Sequence, residues 1–266
     1  MDSQDKLSPS QMYLYGKVFS KSRGQADTVI QNLIDDRVQE DLALAVEKLK
    51  LSRIVINVNL QERIFGIPMI DSLLVSKRLY NLFEIAHAMH EVNPSELRMR
   101  TMLEFKLYGG TRDLQTVLAG MSNREHPNYG LLDYRNDPVG LSALGFYGWY
   151  RFVLRDKVKE RSTFTPADSF HITSDQVFVW DDVRGVLATQ VGVDKPCWFQ
   201  YVGREEIPID EYGTTSYIET QILGGVSLEK KDVEMLYYPE TDRFNKEFFS
   251  KLKRFEEEFE IKLEPY

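Results

Sequence analysis

The chain has a single cysteine, Cys197, in 266 residues. An intramolecular disulfide is therefore excluded, and so is a cysteine-rich zinc site; a reducing compartment is expected. Long hydrophobic runs are missing too, and none approaches the roughly 18 residues that a membrane span requires. Positive charge is scarce: Lys and Arg number 33 against 41 Asp and Glu, for a formal net charge of −8. Such a chain is not built to coat nucleic acid non-specifically, which needs clustered cations, although a local basic groove stays open. The opening MDSQDKLSPSQMYLYG is polar and acidic, unlike a signal peptide. GxxxxGK[ST], GxGxxG after a strand, HExxH and GxSxG are all absent, so the best-known phosphate, dinucleotide, zinc-protease and serine-hydrolase devices do not apply.

What is present is the composition of an ordinary globular protein, 42% hydrophobic and 28% charged, long enough for one large domain or two small ones. Residues 1–50 carry an amphipathic stripe through Val29, Leu33, Ile34, Val38, Leu42, Val46 and Leu49. It predicts two helices with a break near Asp35 and Asp36. Arg53–Leu60 alternates and is β-branched, a strand. A helix is expected over 69–92, stopped by Asn93-Pro94, and another from a Ser95 cap to Gly109-Gly110. A third, short one is closed by Gly120. Residues 126–140 read as turns and 162–170 as a polar loop. Strands are expected over 149–158, 176–183, 185–193, 197–203, 216–223 and 233–239, the last two around a Gly224-Gly225 turn. The carboxy-terminal 245–264 reads as a charged amphipathic helix. Helices lead and strands follow, which indicates an α+β fold. A helical segment, 1–50, is expected to pack on a core domain, 51–266.

One carboxylate stands out. On a strand over 216–223, Tyr217, Glu219 and Gln221 share one face while Ile218 and Ile222 take the other. An ionised Glu buried without a partner costs several kcal/mol, so that face is expected to line a cleft or meet solvent. Arg161–Ser169 crowds hydroxyls, Phe164 and Asp168 into nine residues, either as a turn or as the edge of a pocket. Tyr129 in HPNYG is either a stacking platform or a core anchor. His87 and His90 lie three apart on a helix but have no acidic or cysteine partner at ligand spacing; they read as surface histidines, not a metal site.

Several segments together resemble a bacterial family of uncharacterised domains. They are Arg100, Glu104 and Tyr108-Gly109-Gly110; Pro127, Tyr129, Gly130 and Leu132; Tyr147-Gly148; Arg161, Thr163-Phe164-Thr165 and Asp168-Ser169; and Tyr217, Glu219, Gln221 and Asp232-Val233-Glu234. The resemblance covers about 53–240. No single motif is specific; their shared order carries it. Where that family has a histidine-bearing HFHPDR-like turn, this chain has NVNLQER, with Asn57, Asn59 and Arg63, so no histidine role carries over.

In the order of its blocks the chain is also similar to the ADP-ribosyltransferase superfamily. That resemblance implies a mostly antiparallel, split β-sandwich core using NAD as substrate. Glu219 would be catalytic and Gln221 would position the acceptor. Asn57 or Asn59 would hold the adenosine ribose, Arg63 or Arg100 the pyrophosphate, and Tyr129 or Tyr147 would stack on nicotinamide. Ser162 and Thr163 would buttress Glu219. It further implies a toxin or effector, acting on RNA, DNA or protein, in the cytoplasm of the producing bacterium or of a target cell, with an antitoxin or inhibitor as a second partner and no membrane. Two alternatives stand beside it. One is a hydrolase on the same scaffold with Glu219 and Asp168 as acid and base. The other is a non-enzymatic module that docks through its terminal helices.

Overall fold

The computed structural model describes residues 7–33, 36–89, 94–140, 145, 147–192, 195–209 and 216–266. Two helices lead, α1 (Pro9–Gln31) and α2 (Asp36–Lys50). Ser8 caps α1 in a reciprocal box with Gln11, and Pro9 occupies the first turn, where its missing N–H costs nothing. The α1 residues Gln11, Leu14, Val18, Ser22 and Ala26 are buried at helical spacing. The predicted break falls between the two helices, with Asp35 outside the described residues.

The chain continues through β1 (Arg53–Val58), a small hairpin of β2 (Arg63–Ile64) and β3 (Ile67–Pro68), α3 (Met69–Ser76), β4 (Arg78–Leu79) and α4 (Leu82–Met89). The single helix expected over 69–92 is thus divided: α3 ends at Lys77 in the left-handed conformation, and β4 follows. Next come α5 (Pro94–Leu107) and α6 (Arg112–Gly120), then β5 (Asn128–Asp133), β6 (Tyr150–Leu154), β7 (Ser162–Thr165) and β8 (Phe178–Val179). Ser95 lies inside the first turn of α5, not at its cap. Two expected strands are helices, α7 (Arg184–Ala188) and α8 (Trp198–Arg204). The last elements are β9 (Glu219–Ile222), β10 (Val226–Ser227), β11 (Val233–Tyr238), α9 (Lys246–Phe259) and β12 (Lys262–Pro265).

The fold is α+β, as expected. Eight strands form one hydrogen-bonded sheet in the order β12-β11-β6-β1-β5-β9-β7-β8, antiparallel throughout except for the parallel β11–β12 pair. The expected hairpin across Gly224-Gly225 does not form. β9 is interior to the sheet between β5 and β7, and β10 pairs instead with β4. Buried Arg161 directs this exit, donating to the carbonyls of Leu223 and Gly225 and to Asp232.

One face of the sheet packs Ile54, Ile56, Leu132, Phe152, Phe164 and Ile222 into the main core, which also contains Leu42, Ala45 and Leu49 of α2 and Leu252 and Phe255 of α9. The helical lead-in therefore shares a core with the sheet. On the opposite face lie two smaller clusters. One joins α1, α5 and α6 around Leu14, Leu107, Tyr108 and Leu118, and the other is Val55, Leu131 and Val153.

The sheet forks at its middle, and the fork positions the site. Arg53–Val55 of β1 pair with Asp133–Leu131 of β5, but from Val55 to Val58 the ladder of β1 runs to β6. The other half of β5, Asn128–Leu131, pairs with β9. Beyond Val55 the two central strands therefore part. Gly130 lies at the fork, where a Cβ would come within 2.7 Å of the Val55 carbonyl oxygen and 3.1 Å of Ile56 Cγ1, so glycine allows this close approach. Gly148, at φ +121°, lets the following loop lie on the far end of β1, where a Cβ would sit 2.1 Å from the Val58 carbonyl carbon.

A carboxylate-floored cavity at the fork of the sheet

A cavity of about 470 Å³ opens where β1 and β5 part, within the range of small-molecule sites. Its walls include Asn57 and Asn59 from β1 and its end, Tyr129 from β5, Arg100 from α5, and Asp168, Tyr217 and Glu219. The strand alternation places Glu219 and Tyr129 on the cavity side of the sheet, opposite the Ile222 side of the main core.

Glu219 is 6% exposed. Its Oε1 accepts from Gln221 Nε2 at 2.8 Å, and the Ser169 hydroxyl and backbone N–H dipoles lie near it. These neutral donors lower its proton affinity, but burial raises it more and the negative charge of Asp168 adds to that, so the carboxyl is pushed up to about 8. Glu219 is therefore mostly protonated at neutral pH. Asp168, half-buried, accepts from Phe170 N at Oδ1 (2.9 Å) and from the Tyr217 hydroxyl at Oδ2 (3.0 Å).

Gln221 is 0% exposed and does not line the cavity. Its Oε1 accepts from Thr163 Oγ1 at 2.8 Å, and its Nε2 also reaches Thr165 Oγ1 at 3.2 Å. It therefore holds Glu219 instead of meeting an acceptor, which corrects its assignment. Thr163 supports Glu219 only through Gln221. Ser162 does not support it at all: it turns to the other face and donates to the Val158 carbonyl at 2.8 Å. Residues 162–165, read as a loop, are a wholly buried strand whose hydroxyls are internally bonded.

Arg63 is misplaced by the sequence reading. It is exposed and donates from Nε and Nη2 to the Gly66 carbonyl at 3.1 and 2.7 Å, closing the β2–β3 turn outside the cavity. Arg100 does line the cavity, and its charge acts on Tyr129 and Tyr147. Asn57 and Asn59 line it too, Asn57 donating to the Gly148 carbonyl at 3.2 Å. Tyr147 stands at the rim, 41% exposed.

Tyr129 is anchored from behind. Its hydroxyl donates to Glu104 Oε1 at 3.3 Å, and Glu104 Oε2 meets His126 Nδ1 at 2.7 Å. The His126 ring stacks on Phe83 at 3.6 Å. Burial and the Glu104 charge raise the Tyr129 hydroxyl well above its ordinary value, so Tyr129 is a neutral wall. Glu104, His126 and Tyr217 are additions to the site residues that sequence suggests. Glu104 and Tyr217 stand in the shared blocks, so their signal is present there, whereas nothing in the spacing ties His126 to Glu104. His87 is exposed, and His90 lies outside the described residues. Among the described residues no group of three His, Cys, Asp or Glu is placed to hold a metal ion. None of the described helices is long and apolar enough to cross a membrane.

Fold and site thus define an α+β protein with a carboxylate-floored cavity in the fork of a mostly antiparallel sheet. No protein-family model matches the chain. Over 165 residues, 59% of its length, it is 29% identical to the "Gene 2 protein" of Mycobacterium phage L5, and the match spans 57% of that protein's length.

Proposed function

We propose that the cavity takes NAD as substrate and that the protein transfers ADP-ribose to a macromolecule, as a toxin or effector of the ADP-ribosyltransferase type. Glu219 carries this reading: a carboxyl group buried on a cavity floor, held by Gln221 and, among the described residues, not neutralised by a bonded cation. The fork between β1 and β5 supports a split-sheet core of that type. The walls suit a dipolar ligand, with Arg100 on the wall as the cation for a pyrophosphate and tyrosine rings facing a flat, cationic nicotinamide.

Cleavage of the nicotinamide–ribose bond develops positive charge on the ribose. A fixed carboxylate at that point stabilises it. A cationic ring beside Glu219 favours the ionised form, so substrate binding releases the proton that burial keeps there. Asn57 and Asn59, at the end of β1, line the wall on which the ribose hydroxyls would lie.

The test is incubation of the chain with adenylate-labelled NAD and separate protein, RNA and DNA fractions. Nicotinamide release and label transfer to one fraction are expected, and both vanish in a folded Glu219→Gln variant. Full turnover in that variant overturns the reading. The Asp168–Glu219 pair supports a second reading, a hydrolase in which one carboxyl is acid and the other base; it predicts neither label transfer nor nicotinamide release.

A further inference from the structure

We propose that Asp168 is a second catalytic carboxylate, the base that takes a proton from the acceptor as ADP-ribose is transferred; this rests on the NAD reading above. An acceptor arrives from solvent, so its base must stand nearer the mouth than the group that stabilises the ribose. The two carboxylates lie at different depths. Glu219 is buried on the floor, while Asp168 is half-buried and is followed within two residues by exposed Phe170, with Tyr147 also at the rim. Gln221, the acceptor residue suggested by sequence, is sealed under the sheet face by Thr163, Thr165 and Glu219.

Asp168 is also held firmly. One oxygen accepts the Phe170 N–H and the other the Tyr217 hydroxyl, while its own carbonyl accepts from His171 N at 3.0 Å. Each carboxylate oxygen thereby takes one donor and keeps a lone pair for the cavity. The charged and titratable groups facing it are Glu219 on β9, Tyr217 just before that strand, Tyr147 at the rim and Arg100 on α5.

In the transfer step the bond from ribose C1′ to the nicotinamide nitrogen breaks, and its electron pair leaves with neutral nicotinamide. The acceptor heteroatom bonds to C1′ and its proton passes to Asp168, then to water at the open mouth. This assigns the acceptor a chemical class: a hydroxyl or N–H group that must lose a proton. An acceptor that is already anionic gains nothing from the base.

Azide, an anionic nucleophile without a proton, is the probe. In the full chain with NAD and water as acceptor, Asp168→Asn is expected to slow nicotinamide release about 100-fold while NAD still raises the melting temperature. Adding azide restores release to within about tenfold of the unaltered chain by bypassing the base, and mass spectrometry finds ADP-ribosyl azide. Glu219→Gln is not rescued. Tyr217→Phe, which keeps the carboxylate but removes its donor, shows a smaller loss with the same rescue, and it serves if Asp168→Asn does not fold. Undiminished release by Asp168→Asn, or no azide rescue in a variant that binds NAD, overturns the assignment of the base alone. A chain that releases no nicotinamide under any condition overturns the NAD reading and this inference with it.

Discussion

Asp232 and Glu219 are both buried carboxylates, 1% and 6% exposed, and their surroundings treat them in opposite ways. Asp232 meets the buried Arg161 guanidinium at 3.1 Å, accepts from Ser227 N at 2.9 Å and has Lys157 at 3.4 Å. Its charge is matched where it lies, and the match fixes the turn from β9 to β10. The donors to Glu219 are neutral, and a second carboxylate adds repulsion. A buried carboxylate kept for architecture is neutralised by a cation of the fold; one that burial keeps protonated beside a cavity can ionise for a ligand that brings the opposite charge.

Asp232 depends most on Arg161. Arg161→Met leaves Asp232 buried without its main partner and frees two carbonyls, so a loss of about 3–5 kcal/mol in unfolding free energy is expected by urea denaturation. A loss under about 1 kcal/mol would mean that Asp232 does not depend on this ion pair.

Glu219 behaves in the opposite sense. Its folded proton affinity, about 8, exceeds the ordinary 4.5. Between those values the native state holds a proton that the unfolded chain has released. The stability this confers is complete below about pH 4.5 and is lost as pH rises through about 8. Glu219→Gln, neutral at every pH, escapes that loss. It should therefore gain on the natural chain as pH rises, by a few kcal/mol at about pH 8, because each tenfold change in proton affinity is worth roughly 1.4 kcal/mol. Denaturation curves at about pH 4.5, 6 and 8 measure the trend; a constant difference would place Glu219 in a compensated site like that of Asp232.

The smallest of the three effects belongs to Gln221. Gln221→Leu removes a donor from Glu219 and leaves Thr163 and Thr165 to find other partners. The carboxyl then holds its proton more tightly, and the acid limb of nicotinamide release moves to higher pH. The rate near neutrality should fall about tenfold or more, as for a hydrogen bond to a charged group. An unchanged pH profile would show that Gln221 serves packing only.

The periodic elements are legible in sequence because their side chains divide between core and solvent or between two faces. β1, β6, β9 and β11 follow from alternation, and α1, α2, α6 and α9 from helical spacing. The misread elements lack that contrast. Gly185, Val186, Leu187 and Ala188 of α7 are all buried, and a short, wholly buried apolar run has no period that separates helix from strand. β7 hides behind hydroxyls that are polar in sequence but bonded inside the sheet. β12 reads as the end of a helix because its pairing with β11 is a long-range contact. Within the site, Glu219 is legible because a carboxylate in an apolar strand needs a reason. Arg63 and Ser162 are wrongly included because sequence order does not reveal that one closes its own turn and the other faces away.

The decisive measurement is nicotinamide release from NAD by the chain and by Glu219→Gln, both verified as folded. Release by the chain is expected, with a rate at least about 100-fold lower in the variant. Equal release by the two proteins, or none by the natural chain, overturns the role given to Glu219.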